Sequence, residues 1–429
     1  MDFAEFLKNN VENDYRVEHL IGHNNNSIET TLIQEMALRR GYSTLRVGLA
    51  HFYAFKTDLC DAIGFRTTAS TLTSKPAVAV CVDKALTKKL MMANGVPVAK
   101  GKKFKREKKA EIVKYFNENI SLGVLKPLKG KGGRGVFTRI ATEEDLIECL
   151  MKISSPEVIL EEFIEGNDYR FSVVGGEVVS VAIRIPANVV GDGRQSVRKL
   201  INIKNENRLG NPHLNQRLID CGEKSASYLT KLGLDMEYVP SEGEVIYLNG
   251  AANLSSGGDS IDVTSSTHET LKKIAVHAVR SIPGISTAGV DILVKDHEKA
   301  VSGQDVAVCE VNSSPGLSMH HFPVFGRAVN ACHKLFDDVA LQAGHGIEVL
   351  GLEGKVDFML VCSNKNYITN LIEEKSYEYN LDFSIDVVGG EITGFMTGDF
   401  SKVSSLISHM AKSIPTGRVE YIRTYPTLG

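Results

Sequence analysis

The sequence has no Cys-x-x-Cys pair, no apolar run approaching the ~18 residues a membrane helix needs, and little excess of charge. Each absence excludes something. The seven cysteines, Cys60, Cys81, Cys149, Cys221, Cys309, Cys332 and Cys362, are scattered and odd in number. That spacing fits neither a zinc ribbon nor a disulfide framework, so reduced, mostly buried thiols in the cytosol are expected. MDFAEFLKNNVENDYR lacks the apolar centre of a signal peptide, which points the same way. A net charge of −3 gives no pull toward a polyanion, so neither nucleic acid nor a membrane is expected as a partner. There is no G-x-x-x-x-G-K-[ST] loop, no G-x-G-x-x-G, no Ser–His–Asp or Cys–His arrangement, and no internal repeat.

What is present centres on VAVCEVNSSPGLSMHHF, Val306 to Phe322. Its first half is apolar, as in a buried strand, but Glu310 and Asn312 interrupt it two residues apart. Residues two apart on a strand share a face. A second short apolar strand, Ala288 to Val294, carries Asp291, and the polar DHEKAVSGQD between them reads as a hairpin connection. Folding that hairpin sets two carboxylates and an amide oxygen side by side. Such hard oxygens suit Mg²⁺, which takes its other ligands from water and phosphates. A nucleotide-phosphate site is therefore expected here.

At 429 residues the chain exceeds one ordinary core, and roughly two to four domains are expected. Taken in order, it reads as a strand ending Asn13 to Gly22, a helix Ser27 to Arg40 capped by Ser27, and a strand Thr44 to Leu49. A polar exit follows to Pro76. A helix over Asp83 to Ala93 closes at Asn94-Gly95 and places Lys84 and Lys88 on one face. Another helix, Glu107 to Asn117, precedes GVLKPLKGKGGRGVF. Lys126 lies in the apolar GVLKP strand, where an ammonium is costly unless it meets an anion. Gly130, Gly132, Gly133 and Gly135, with Lys129, Lys131 and Arg134, form a flexible basic loop able to close around phosphates. A Thr142-capped helix leads to a strand with Glu161, Glu162 and, past Gly166, Asp168. Gly175-Gly176 reads as a hairpin turn. After HGIEVLGLEG the tail runs β-α-β-β-α-β, a ferredoxin-like order with a turn at Gly389-Gly390.

The sequence of lysine helix, VLKP strand, Gly-rich loop, LEEFIEGNDYR, ANVVGDG, NLSSGGDSIDVT, GVDIL and CEVNSSPG resembles the ATP-grasp superfamily. It resembles most the branch containing cyanophycin synthetase and the fused bacterial glutathione synthetase. The resemblance spans roughly Ile21 to Ala340, and RIPANVVGDGRQSVRKLI (Arg184 to Ile201) and AANLSSGGDSIDVT (Ala251 to Thr264) carry most of it. MHHFP leans to the glutathione side and KNENRLGNPH to the cyanophycin side.

The resemblance implies an α/β (α+β) ATP-grasp fold with an N-terminal α/β unit (1–80), a lid subdomain (81–165), a large subdomain (166–345) and the ferredoxin-like tail (355–429). It implies ATP-dependent carboxylate–amine ligation through an acyl phosphate, with ATP and Mg²⁺ (two ions, Mn²⁺ able to substitute). Small carboxylate and amine substrates, of amino-acid or peptide type, and a homodimer or larger homo-oligomer follow. By position, Lys88 and Lys126 would hold phosphates, Gly132, Gly133, Arg134 and Gly135 would form the mobile lid, and Glu161, Glu162 and Ile164 the adenine hinge. Asp168 would take the ribose, and Asp291, Glu310 and Asn312 the metal. Arg184, Asn253 and Ser255 would approach the γ-phosphate or acyl substrate. His320 and His321 are expected in the substrate pocket or in packing. The chain departs from the pattern at Leu248-Asn249-Gly250, where the family has an arginine before NLSSGG. A carrier-bound carboxylate as substrate, or a silent ATP-binding regulator, are the alternative readings.

Overall fold

The computed structural model describes residues 3–9, 12–13, 15, 17–21, 23, 25–129, 135–250, 252–348 and 351–427. Helices α1 (Phe3–Asn9) and α2 (Asn25–Arg39) come first, followed by strands β1 (Ser43–Arg46), β2 (His51–Phe55), β3 (Ile63–Arg66) and β4 (Ala69–Ser70). Helix α2 buries Ile28, Leu32, Ile33, Met36 and Ala37, and Gly41, at φ +69°, ends it. The helix begins two residues before the expected cap, so Ser27 is an interior helical position.

The expected strand ending Asn13 to Gly22 is absent among the described residues. A single 3-10 turn, Glu18–Leu20, stands there, with Leu20 its buried residue. The reason is topological. Strand β1 pairs with β2 on one side and with the last strand of the chain on the other, so neither of its edges is free. The expected polar exit gives way, after Ser74, to a helix, α3 (Lys75–Val82). The Ser74 side chain accepts from Ala77 N, and Pro76 sits in the first turn, where it costs no hydrogen bond.

Helix α4 (Lys84–Ala93) is capped by Asp83, which accepts from the amides of Ala85 and Leu86. Strands β5 (Gly101–Lys105), β6 (Gly123–Pro127), β7 (Phe137–Ile140) and β8 (Glu157–Glu162) form an antiparallel sheet in the order β5-β8-β6-β7. Helices α5 (Lys109–Asn119) and α6 (Glu143–Lys152) cover it through Ile112, Phe116, Leu146 and Leu150. Thr142 and Asp145 make the expected reciprocal capping box.

Strands β9 (Asn167–Val174) and β10 (Glu177–Ile185), turned at Gly175-Gly176, lead into a second lobe. Its β11 (Asn188–Val190) and β12 (Val245–Tyr247) form a ribbon packed with helices α7 (Val197–Gly210) and α8 (Glu223–Lys231). Strands β13 (Asp259–Asp262), β14 (Ala288–Val294) and β15 (Val306–Asn312) complete a five-stranded antiparallel sheet ordered β13-β10-β9-β14-β15. Helix α9 (Glu269–Arg280) buries Leu271, Ala275, Ala278 and Val279 in the core it shares with this sheet.

After short α10 (Ser318–His321) and α11 (Ala331–Gln342) comes the tail: β16 (Glu353–Cys362), α12 (Lys365–Tyr379), β17 (Asp382–Val388), β18 (Glu391–Asp399), α13 (Phe400–Ala411) and β19 (Val419–Thr427). Its strand order, β17-β18-β16-β19, is the ferredoxin-like arrangement expected from the sequence. The sheet does not stop there. Strand β19 also pairs with β1, so one sheet of eight strands runs from the tail through the N-terminal unit. A row of serines on α13 seals the join: Ser404 donates to Thr31 O, Thr31 to Ser408 Oγ, and Ser405 Oγ meets His23 Nε2.

One buried ion cluster ties the second lobe to the sheet. Arg208 Nη1 donates to Asp259 Oδ1 at 2.6 Å, Lys204 Nζ to Asp259 Oδ2 at 2.7 Å, and Asn188 to the same oxygen at 2.9 Å. Burial pushes the Asp259 carboxyl up, but Lys204 and Arg208 outweigh it and hold it below the usual carboxylate range. A folded value below the unfolded 3.8 means this contribution is complete above pH 3.8 and is lost as pH falls through the lower folded value. Asp259→Asn leaves fully buried Arg208 without its carboxylate, so a loss of about 3–5 kcal/mol in urea unfolding is expected. An unchanged urea midpoint would show that the cluster contributes nothing net.

Candidate functional site

Two surfaces face each other near β8, α4 and the five-stranded sheet, where Lys84 reaches Glu310, and a third lies in the second lobe. The first holds the two lysines. Helix α4 presents Lys88 and β6 presents Lys126, and both ammoniums bond to the one carboxylate of Glu161 on β8. All three side chains are buried. Burial and the neighbouring Lys126 push Lys88 down. For Lys126, burial is outweighed by Glu161 and the value rises; Glu161, though buried, is held below the carboxylate range by both lysines. Two cations facing one anion leave a buried surplus of positive charge, which is stable only beside a further anion. Lys84, on the same face of α4, reaches across to Glu310 Oε2 at 3.7 Å.

The residues expected at the adenine hinge, Glu161, Glu162 and Ile164, lie at the end of β8 and in the segment that follows it. The Glu161 side chain belongs to the lysines. Glu162 Oε1 accepts from Lys100 N at 2.8 Å, and half-buried Ile164 lies in the segment joining β8 to β9. Of the expected lid, Gly132, Gly133 and Arg134 lie outside the described residues; Gly135 follows at φ +72°.

The second surface is one face of the sheet. Period-two alternation on β9 puts Asp168, Arg170 and Ser172 on it. Their cross-strand neighbours are Arg184, Ala182 and Ser180 on β10, and Leu293, Asp291 and Gly289 on β14. On β15, Glu310 pairs directly with Asp291, and Asn312 with Gly289. The hairpin read from the sequence thus brings Asp291, Glu310 and Asn312 together. Arg184 Nη2 lies 2.6 Å from Asp168 Oδ1 and 3.0 Å from Asp291 Oδ2. Arg170, which sequence reasoning passed over, grips Asp291 through Nε to Oδ1 and through Nη2 to Oδ2 at 3.3 Å. Its signal was available, since it stands two residues after Asp168 in the same alternation. Gly289 makes room for it: a Cβ there would fall 2.9 Å from Arg170 Nη1. Burial raises both aspartates, but Arg170 and Arg184 hold Asp291 below the carboxylate range, whereas Asp168 stays raised.

Two carboxylates and an amide on adjacent strands are a donor set that fits Mg²⁺. Among the described residues no group of three or more His, Cys, Asp or Glu side chains is placed to hold a metal. Mg²⁺ takes its other ligands from water and phosphate oxygens, so three protein oxygens are enough for it. Among the described residues, Asp291 Oδ1 accepts from Arg170 Nε alone, which leaves a second lone pair on that oxygen for an ion.

The third surface lies in the second lobe. Asn253 Oδ1 accepts from Ser255 N and Ser255 Oγ, fixing a 3-10 turn, and Gly257, at φ +87°, ends it. Ser255 and Ser256 line a cavity of about 660 Å³ with Asn249, Tyr228, Lys224 and Cys221. The residue that departs from the family pattern thus faces a cavity. The two histidines of MHHF divide: His320 Nε2 bonds Ser172 Oγ at 2.8 Å beside the sheet row, and His321 Nε2 accepts from Cys332 N at 2.9 Å in packing.

Residues 88–235 match the family described as prokaryotic glutathione synthetase, ATP-grasp domain. Among curated proteins, the chain is 28% identical to the glutathione biosynthesis bifunctional protein GshAB of Clostridium perfringens, over 79% of this chain and 44% of that protein. It is 31% identical to cyanophycin synthetase of Nostoc sp., over 76% and 37%. Among solved structures, a bifunctional glutathione synthetase from Pasteurella multocida superposes with a TM-score of 0.53 at 26% identity, covering 69% of this chain and 40% of that one. The chain carries an ATP-grasp domain of the kind these ligases have. It spans less than half the length of each of these relatives.

Proposed function

We propose that the chain is an ATP-dependent carboxylate–amine ligase, making an amide between small amino-acid or peptide substrates by way of an acyl phosphate. The observation that carries this reading is the pairing of surplus buried positive charge at Lys88 and Lys126 with the carboxylate–amide set Asp291, Glu310 and Asn312. A triphosphate satisfies both. In the reaction, a substrate carboxylate oxygen attacks the γ-phosphorus of ATP and the bond to ADP breaks. The amine then attacks the carbonyl carbon, phosphate leaves with the former carboxylate oxygen, and a proton is lost from nitrogen.

Bringing two anions together makes neutralisation and alignment the main requirements. Lys88 and Lys126 would release part of their hold on Glu161 to bind phosphate oxygens. Arg184, held protonated by Asp168 and Asp291, would approach the transferring group. Bound Mg²⁺, as two ions replaceable by Mn²⁺, would neutralise charge on the triphosphate, and Asp291, Glu310 and Asn312 would hold it. Acyl phosphates hydrolyse readily, so the Gly132–Gly135 segment serves as the lid that excludes water. No side-chain nucleophile is needed. Asn249, in place of the family's arginine, lines the cavity beside Ser255 and Ser256, where a different acyl substrate would be accommodated.

We place the enzyme in the cytoplasm, in keeping with seven free cysteines. No helix among the described residues is long and apolar enough to cross a membrane. The test is release of ADP and phosphate with ATP, Mg²⁺ and a panel of amino-acid and dipeptide pairs. Amine-dependent turnover supports the reading; ATP binding with no turnover across the panel favours a silent ATP-binding regulator.

A further inference from the structure

The carboxylates of the sheet row are not held alike. Arg170 and Arg184 grip Asp291, and Arg184 grips Asp168, all through contacts of 3.3 Å or less. Glu310 has one cation within ion-pair distance among the described residues, Lys84, and that contact is loose at 3.7 Å. The Lys84 side chain is 15% exposed and that of Glu310 31%. A pair this long and this open to water contributes little to stability, so it is easily exchanged.

Lys84 comes from the facing surface. It is the first residue of α4, fixed there by the Asp83 cap. Lys88 follows four residues later on the same face and is turned to Glu161. Lys126, bonded to the same carboxylate, senses the charge of Glu310 as well. Lys84 thus bridges the helix that carries a phosphate lysine and the strand that carries a metal carboxylate.

Charge decides what this bridge can do. Lys84, Lys88, Lys126, Arg170 and Arg184 face Glu161, Asp168, Asp291 and Glu310, five cations to four carboxylates. A divalent ion arriving alone deepens that surplus and must compete with Lys84 for Glu310. The same ion arriving on a triphosphate reverses the surplus, and the ammonium it displaces then has phosphate oxygens to turn to. A lysine suits such an exchange, because its compact charge rides on a flexible four-carbon stem with no planar fork to undo.

We propose that Lys84 is an exchangeable counter-ion of Glu310. It holds the carboxylate against a bare divalent ion and passes to the phosphates when the ion comes with the nucleotide. Lys84 is thereby a positioning residue that makes metal and nucleotide bind together, and the coupling is reciprocal. The inference rests on the ligase reading and on Glu310 as a metal ligand, and deepens both.

The test uses the full chain and Mn²⁺, whose free concentration is read by electron spin resonance with and without the β,γ-methylene analogue of ATP. Lys84→Met keeps the stem and removes the charge. It is expected to bind Mn²⁺ alone at least about tenfold more tightly than the wild type, a gain that a damaged fold cannot produce. The extra Mn²⁺ affinity conferred by the analogue is expected to shrink by a similar factor. Lys84→Gln is expected to do the same, and serves if the Met variant fails to fold. In a Glu310→Gln background, Lys84→Met is expected to change Mn²⁺ affinity by less than about twofold, since the carboxylate competed for is gone. A full-sized gain in that background means general repulsion and overturns the exchange. So does unchanged or weaker Mn²⁺ binding in both Lys84 variants, and if Glu310→Gln still weakens Mn²⁺ binding with the analogue, the metal site and the ligase reading stand. Mn²⁺ binding indifferent to Glu310→Gln removes Glu310 from the metal site and the proposal with it. Failure of the wild type to bind the analogue counts against the ligase reading itself.

Discussion

Lys126→Met is expected to lose ATP turnover by about 10²–10³-fold and to weaken ATP binding while leaving the protein folded. The argument turns on the charge count around Glu161. Two buried ammoniums share that one carboxylate. Removing Lys126 leaves Lys88 and Glu161 as a matched pair, so the fold keeps its neutrality and only the surplus that attracts phosphate is lost. The reverse change has the opposite signature. Glu161→Gln leaves two ammoniums unpaired and is expected to cost about 3–5 kcal/mol of stability. Urea unfolding alongside nucleotide titration separates the two. If Lys126→Met unfolded the protein and Glu161→Gln did not, the surplus-charge account would be wrong.

Glu310→Gln carries the second large effect. Glu310 pairs with Asp291 across β14 and β15, and it is half-buried with Lys84 3.7 Å away. The amide is nearly the same size, so packing is kept while one hard anionic ligand is lost. Turnover is expected to fall about 10²–10³-fold, and the Mg²⁺ concentration needed for half-maximal rate is expected to rise. Asp291→Asn differs, because it also leaves Arg170 and Arg184 facing a neutral group, so stability falls with activity. Unchanged turnover and Mg²⁺ dependence in Glu310→Gln would remove Glu310 from the metal site.

The sheet row was legible in the sequence because it rests on local rules. Charged residues inside apolar strands must be functional or paired, and period two puts Glu310 with Asn312 on one face; the same rule applied from Asp168 leads to Arg170, which was passed over. The same reasoning singles out Lys126. The sharing of Glu161 between two lysines was not legible, since Lys88 and Glu161 come from elements far apart in the chain. The joined eight-stranded sheet was hidden for the same reason: β1 finds its partner β19 almost at the other end of the molecule. Local rules also misled. The stretch before Gly22 was read as a strand although no free strand edge of β1 receives it, and reading a polar exit as far as Pro76 hid the start of a helix that Ser74 caps.

The most direct test of the account follows the oxygen. A substrate carboxylate labelled with ¹⁸O is incubated with the enzyme, ATP, Mg²⁺ and an amine, and the released phosphate is analysed by mass. Passage through an acyl phosphate predicts that one labelled oxygen appears in phosphate for every amide formed. Amide formation with unlabelled phosphate, or with the label in AMP, would contradict it.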